Sequence, residues 1–317
     1  MSAEPPTGTE ISVIVCTHNR AADLERVLAS LSGQRPTRHA WEVLVVDNQS
    51  TDDTPQVVSR WTDRLPLRYL IEPTLGLCNA RNAGWRATTS PLVAYIDDDA
   101  LAGPGWIGAV VTAFSAGGPE LGCVGGRVDP IWEAARPSWL SDQVSLGLTI
   151  VNWSPAPRQI LDLKTEWLVG ANLAVRRTAL QAVGGFSPGL DRVGHRLLSS
   201  GDVHLVQRII DHGFRVEYHP AMQVRHRVPA ARLTQAWFRR RYFWQGVSNA
   251  VMELLDPRPR ASARVPAALR RALRLLRRPG ELASLARPAT DPAVFEQQCW
   301  TLIEVGHVAG LLGAGGR

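Results

Sequence analysis

Three consecutive carboxylates, Asp97, Asp98 and Asp99, follow the apolar run Leu92-Val93-Ala94-Tyr95-Ile96. That run is short, begins after Pro91 and is rich in β-branched and aromatic residues, so it reads as a buried strand. Three like charges at a strand end repel one another unless something neutralises them. A divalent cation does so, and Mg²⁺ or Mn²⁺ takes carboxylate oxygens together with the phosphates of a substrate. The plainer alternative is an acidic loop that caps a helix beginning near Pro104. A second carboxylate, Asp202, stands before Val206, Ile209 and Ile210, which mark one buried helix face. An Asp in a first helical turn is favoured as a cap, and the same field favours the negative charge that a general base carries. His204 and His195 are fallback bases.

The elements that must carry these groups alternate in type. Ile11-Ser12-Val13-Ile14-Val15-Cys16 is a buried-strand run followed by Thr17-His18-Asn19-Arg20. Leu24, Val27, Leu28 and Leu31 then recur at helical spacing, and Gly33 suits a helix C-terminus. Val43 to Val46 is a second strand ending in Asp47-Asn48-Gln49-Ser50, with a helix expected near 54–61 and a strand over 67–71. Such alternation indicates βαβ units and a parallel sheet. Polar strand ends at Thr17, Asp47 and Asp97 would converge on one edge, where open α/β sheets bind ligands. Neither G-x-G-x-x-G nor G-x-x-x-x-G-K-[ST] is present, so no dinucleotide fingerprint or P-loop holds phosphates. The segment 76–85 reads as a glycine turn into a helix with Arg81 near its start. An Arg there opposes the helix dipole, so a carboxylate or a ligand phosphate is the expected partner.

The chain of 317 residues, 45% apolar and 20% charged, has the composition of a soluble globular protein with room for one large or two small domains. No window approaches 18 uncharged apolar residues, and no transmembrane helix is expected. Residues 1–10 lack the basic and apolar regions of a signal peptide. Cys16, Cys78, Cys123 and Cys299 lie far apart with no C-x-x-C pair, which argues against a zinc site or disulfide framework and suits a reducing cytoplasm. The net charge of +6 is uneven: 225–287 holds fifteen Arg and three acidic residues. Such a balance points to an anionic partner, whether nucleotide phosphates, a membrane surface or nucleic acid.

Four motifs, at 12–20, 45–52, 76–84 and 96–99, resemble in order and spacing the nucleotide-sugar half of family 2 glycosyltransferases with the GT-A fold. The resemblance implies an α/β, Rossmann-like, mostly parallel mixed sheet flanked by helices. It implies a catalytic domain over 1–230, with a nucleotide-binding half at 10–100 and an acceptor half at 101–230, and a helical, Arg-rich extension over 231–317. Thr17, His18 and Arg20 would line the nucleotide pocket, Asp47 would receive the base, and Arg81 would lie near the base or phosphates. Asp97, Asp98 and Asp99 look like the metal triplet, for Mn²⁺ or Mg²⁺, with Asp97 and Asp98 also facing the donor. The segment 167–177 resembles the stretch between donor sugar and acceptor, with Gly170 and Asn172 beside the sugar. Gly184-Gly185-Phe186 also matches, and Asp191 stands for the acidic residue that often follows. Asp202 takes the place of the general base, second of an acidic pair whose first member is here Gly201. His226 stands where the family commonly has a histidine that, in some GT-A enzymes, contacts metal or pyrophosphate.

The remainder is less periodic. A helix is expected over 104–114, a strand over 121–128 and a short strand over 214–218. The stretch 129–166 holds Trp132, Trp139 and Trp153, which either stack on a sugar or acceptor or plug the loop onto the body. Arg239, Arg240 and Arg241 sit among aromatics on an expected helix, either solvated or turned to pyrophosphate or nucleic acid. A basic amphipathic helix within 257–279 suits an anionic bilayer, a solvated face or a dimer contact. A last helix is expected near 294–312. The expected activity is metal-assisted, inverting sugar transfer from a nucleotide-diphosphate sugar to a hydroxyl acceptor, saccharide, lipid-linked or small natural product. A nucleotidyltransferase and a catalytically silent nucleotide-sugar or nucleic-acid binding module are the alternatives. No specific nucleic acid is expected, and the location is cytoplasmic, either free or peripheral to the membrane through the Arg-rich helix.

Overall fold

A computed structural model describes residues 8–190, 192–193, 196–255 and 264–314. The first part alternates as the periodicity requires: β1 (Ile11–Thr17), α1 (Ala21–Ser32), β2 (Trp41–Asp47), α2 (Thr54–Trp61), β3 (Leu67–Ile71), α3 (Leu77–Arg86) and β4 (Leu92–Ile96). These four strands pair in parallel in the order β3-β2-β1-β4. Ile11, Val13, Ile14 and Val15 are all at most 1% exposed. A parallel strand covered on both faces buries both sets of side chains, which is why its apolar run is continuous rather than alternating.

Beyond β4 the chain departs from simple alternation. β5 (Ala100–Ala102) precedes α4 (Trp106–Gly117), so the carboxylates lead into a strand and not, as one reading had it, into a helix cap. Next come β6 (Leu121–Trp132), α5 (Asp142–Ser145), a 3₁₀ turn at Leu146–Leu148, β7 (Arg158–Gln159), β8 (Asn172–Arg176) and α6 (Arg177–Val183). The two-stranded β9 (Arg192–Val193) and β10 (Arg196–Leu197) precede α7 (Gly201–Asp211) and β11 (Arg215–Val228). β8 joins β4 antiparallel, and the sheet continues β8-β6-β11-β5. Where a short strand was expected, β11 runs on through Pro220. Its partners on one edge are β7 at Glu217 and Tyr218 and β5 at Val224 to His226. Pro220 falls between them, at an unpaired stretch where a missing N–H is tolerated.

The chain divides into two compact units, one of Met1–Ile131, Thr149–Gly189 and Gly201–Arg227, the other of Trp132–Leu148, Leu190–Ser200 and Val228–Arg317. The second unit is built on α8 (Gln235–Leu255), α9 (Arg264–Leu276), α10 (Pro279–Ser284) and α11 (Pro292–Leu311). Trp139 packs edge-on against Phe238 and Phe295 in this unit. It anchors its loop, as does Trp153 in the first unit, which meets Trp167 and donates its indole N–H to the Trp167 carbonyl at 2.7 Å. Arg239 donates to the carbonyls of Leu285 and Arg287 and to the Gln298 amide, so it ties helices together rather than standing solvated.

α8 and α11 run in the same direction, with Phe238 beside Phe295 and Val247 beside Gly310. Glycines let their backbones approach closely. A Cβ on Gly306 would sit 1.9 Å from the Phe243 carbonyl oxygen, a backbone atom that cannot turn aside. Gly306→Ala is therefore expected to lower unfolding stability by about 1–3 kcal/mol, as overpacking does. Gly280→Ala in α10, whose added methyl meets nothing within 4 Å, should be neutral or slightly stabilising. Denaturant midpoints of the two variants check the contrast.

Candidate functional site

Strand register brings the polar residues together before any side chain is considered. β1 pairs with β4 so that Ile14 stands beside Tyr95, and three residues on, Thr17 stands beside Asp98. β8 lies on the other side of β4 with Asn172 opposite Ile96, which brings Gly170, just before β8, to the same end of the sheet. β11 pairs His226 with Ala100 of β5, and the next residue, Arg227, donates its backbone N–H to the Asp99 carbonyl at 3.0 Å. β2 sets Asp47 beside Thr17.

Side chains then neutralise the three carboxylates. The Thr17 hydroxyl donates to Asp98 Oδ2 at 2.9 Å. Arg20 Nη1 bridges Asp98 Oδ1 at 3.0 Å and Asp99 Oδ2 at 2.7 Å. His226 Nε2 lies 3.2 Å from Asp99 Oδ1, and Arg81 Nη2 donates to Asp97 Oδ1 at 2.9 Å. The Arg81 partner expected from the helix-dipole argument is thus a carboxylate. Burial pulls the Arg81 pKa down; Asp97 and Asp202 beside it outweigh that and raise it. Burial pushes Asp98 up to about 7, with Arg20 and Thr17 pulling the other way and Asp99 and Asp97 adding to the rise. Asp97 keeps the most open side chain of the three, at 31% exposure. The Cys16 thiol at the same strand end is pushed up to about 12 by burial, which removes it as a nucleophile.

The loops after β1 and β2 brace each other. Asn19 and Gln49 adopt φ of +53° and +65°, a region costly for side-chain-bearing residues and tolerated best by Asn. The Asn19 N–H donates to Ser50 Oγ at 2.9 Å, and its amide oxygen accepts the Thr51 N–H at 2.7 Å. His18 joins the same loop pair, with Nδ1 2.7 Å from the Asn48 carbonyl. Asp47 accepts the Ser50 N–H at 2.7 Å and the Tyr69 hydroxyl. Asn48 was not singled out from sequence, yet its amide ties down Glu72, Thr74 and Gly76. The signal was available: a carboxamide directly after a buried strand, where turns need both a donor and an acceptor.

Asp202 lies half-buried in the first turn of α7. Its Oδ2 accepts the Gly170 N–H at 2.7 Å, and its Oδ1 accepts the Val203 N–H at 2.9 Å. Gly170 in turn lies against Arg81: a Cβ there would fall 2.2 Å from Nη2. Asp202, Gly170, Arg81 and Asp97 therefore form one contiguous line. Asn172 is not brought to it. It is fully buried, its Oδ1 accepts the Trp106 indole N–H at 2.7 Å, and its Nδ2 donates to the Arg127 and Met222 carbonyls. His204 follows Asp202 on α7, while Asp191 and His195 lie outside the described residues.

Among the described residues no three His, Cys, Asp or Glu side chains form a ready metal cage. The donor chemistry nonetheless suits a hard cation, because Mg²⁺ sites on phosphates use one or two carboxylates and take the other oxygens from substrate and water. Asp99 and His226 already face each other, and His226 Nδ1 is buried without a hydrogen-bond partner.

Residues 12–184, more than half of the chain, match the family described as Glycosyl transferase family 2. The chain belongs to this family. It is 40% identical over 118 residues to validoxylamine A glucosyltransferase of Streptomyces hygroscopicus subsp. jinggangensis, covering 36% of this chain but only 28% of that protein. A longer match, 27% identical over 252 residues, is to the glucosyl-dolichyl phosphate glucuronosyltransferase of Haloferax volcanii, covering 78% of this chain and 79% of that one. Among solved structures, the mannosyltransferase PcManGT from Pyrobaculum calidifontis, in complex with GDP-Man and Mn²⁺, superposes with a TM-score of 0.60 at 23% identity over 98% of this chain and 88% of its own. S. aureus TarS 1-349 in complex with UDP gives 0.56 at 16% identity, over 80% and 67%. The architecture is thus the GT-A fold that the motifs implied, with a helical C-terminal region.

Asp98 has an ordinary carboxyl pKa of 3.8 and stands near 7 in the fold, so the folded state holds the proton more tightly. Its contribution to stability is present in full below about 3.8 and is lost as pH rises toward 7. Thermal midpoints from pH 4 to 7 should fall more steeply for the wild type than for Asp98→Asn, which cannot titrate.

Proposed function

We propose that this chain transfers a sugar from a nucleotide-diphosphate sugar to an acceptor hydroxyl with inversion at the anomeric carbon. The observation that carries the reading is the line from Asp202 through Gly170 and Arg81 to Asp97. It joins the half-buried Asp202 carboxylate to the acidic strand end that suits a donor phosphate site. Relatives named as a glucosyltransferase and a glucuronosyltransferase, and a neighbour bound to GDP-Man and Mn²⁺, support sugar transfer from a nucleotide donor.

In this reading Asp202 takes the proton of the acceptor hydroxyl as its oxygen bonds to the anomeric carbon and the bond to the leaving diphosphate breaks. Its two accepted N–H bonds hold the carboxylate in place during that step. Thr17, His18, Arg20 and Asp47 line the nucleotide side, with Asp47 toward the base. Arg81 and Gly170 stand between nucleotide and sugar. Asp97, Asp99 and His226 would hold Mn²⁺ or Mg²⁺, which when bound supplies positive charge to the leaving diphosphate. Arg20 now neutralises Asp98 and Asp99 and would share Asp99 with the cation. Asn172 acts here by fixing Trp106 and the β6 and β11 backbones rather than by touching sugar.

A cytoplasmic location is supported by four cysteines that are all free. No helix among the described residues is long and apolar enough to cross a membrane. The acceptor is a hydroxyl-bearing saccharide, lipid-linked sugar or small natural product.

A thermal-shift series of nucleoside diphosphates with and without Mn²⁺ tests the donor site, since binding to the native state raises stability by mass action. Asp99→Ala is expected to lose the Mn²⁺-dependent part of the shift. Asp202→Asn should keep the shift and lose turnover by about 10²–10⁴-fold, the usual worth of a general base. Unchanged turnover in Asp202→Asn would remove it as the base, and a flat series would remove the donor site.

A further inference from the structure

We propose that α9 is an interfacial helix that docks this chain onto an anionic lipid bilayer. One side of α9 is used within the second unit. Ala268 is 2% exposed and packs with Ala250 and Leu311, while Arg271 reaches Glu304 at 3.4 Å and Glu253 at 3.9 Å. Another side is apolar and uncovered: Val265, Leu269, Leu273 and Leu276 are 66%, 58%, 48% and 67% exposed. At 3.6 residues per turn these four fall within an arc of about 80°. A surface Leu here and there needs no explanation, but a continuous stripe along one helix does.

The charges say what covers the stripe. Arg270, Arg274 and Arg277 are exposed and flank it on one side, and none makes an ion pair with another described residue. No acidic residue occurs anywhere in 265–280. A second copy of the chain, brought stripe to stripe about a two-fold axis, would set these arginines near one another in low dielectric. Nucleic acid would satisfy the arginines and leave four large aliphatic side chains in water. A bilayer of anionic lipid meets both demands: the stripe enters the headgroup boundary and the guanidinium groups stay among phosphates. Beyond the stripe, four of the seven other exposed large apolar residues in the described chain belong to this unit: Leu255, Val294, Trp300 and Leu312. Tryptophan is the residue that favours membrane–water boundaries. A chain held at such a surface meets acceptors that carry a lipid anchor.

The surface stands apart from the transfer chemistry, and vesicle binding is read without donor or acceptor. The full chain is sedimented with vesicles of phosphatidylcholine alone and of phosphatidylcholine mixed with phosphatidylglycerol. Partition into the mixed vesicles that falls with added NaCl, and little partition into neutral ones, is the expected result. Arg270→Gln with Arg274→Gln and Arg277→Gln should weaken it on the order of a hundredfold, at about fivefold per arginine. Leu269→Ser with Leu273→Ser should also weaken it although the charge is unchanged. Both variants alter exposed positions, and their circular dichroism and thermal midpoints should match the wild type. Absent binding, equal binding to neutral vesicles, or binding unmoved by either variant overturns the proposal. So does a dimer, seen by light scattering and lost in the leucine variant, in a chain that ignores vesicles.

Discussion

The constraint on which the structure depends is the mutual repulsion of three carboxylates at the end of one buried strand. Asp98 and Asp99 are each 7% exposed, so water screens them poorly. The fold answers with a base from each direction: Arg20 from the start of α1, Arg81 from α3 and His226 from β11. Each of these comes from a different element. The acidic end is therefore where groups from both the parallel and the antiparallel parts of the sheet meet.

Positioning is done by backbone and chemistry by side chain. The ladders of β4 with β1 and β8 bring the ends of these strands to one edge, and only afterwards do hydroxyl, guanidinium and carboxylate find one another. Positive-φ residues Asn19 and Gln49 turn the two flanking loops back on themselves, and the hydrogen bonds between those loops maintain that conformation. The two loops are thus held by each other at these contacts.

What could be read from the sequence follows from how local each feature is. The bounds of α2 and β3 were legible to the residue and β1 and β2 nearly so, because continuous apolar runs between polar turns carry their own signal. β5 and the long β11 were not, because a three-residue strand and a strand containing proline exist only through partners distant in sequence. The acidic triplet, Arg81 and Asp202 were legible as chemistry-bearing types. Arg20's bridging of two carboxylates depends on a register that no local pattern reveals. Asn172 shows the opposite case: an amide beside small residues looks like a ligand contact, and here its hydrogen bonds go to the Trp106 indole and to two backbone carbonyls.

The dependence on register has a consequence for how such a chain can vary. Substitutions at the strand ends exchange one side chain for another at a fixed address. A single-residue deletion inside β1 would instead slide Thr17 by about 3.3 Å, turn it to the opposite face and draw Arg20 along with it. Every contact they make to Asp98 and Asp99 would be lost at once, with no residue of the site itself altered. Chemical novelty is thus open to point changes in the loops, whereas length change within β1 or β4 is closed.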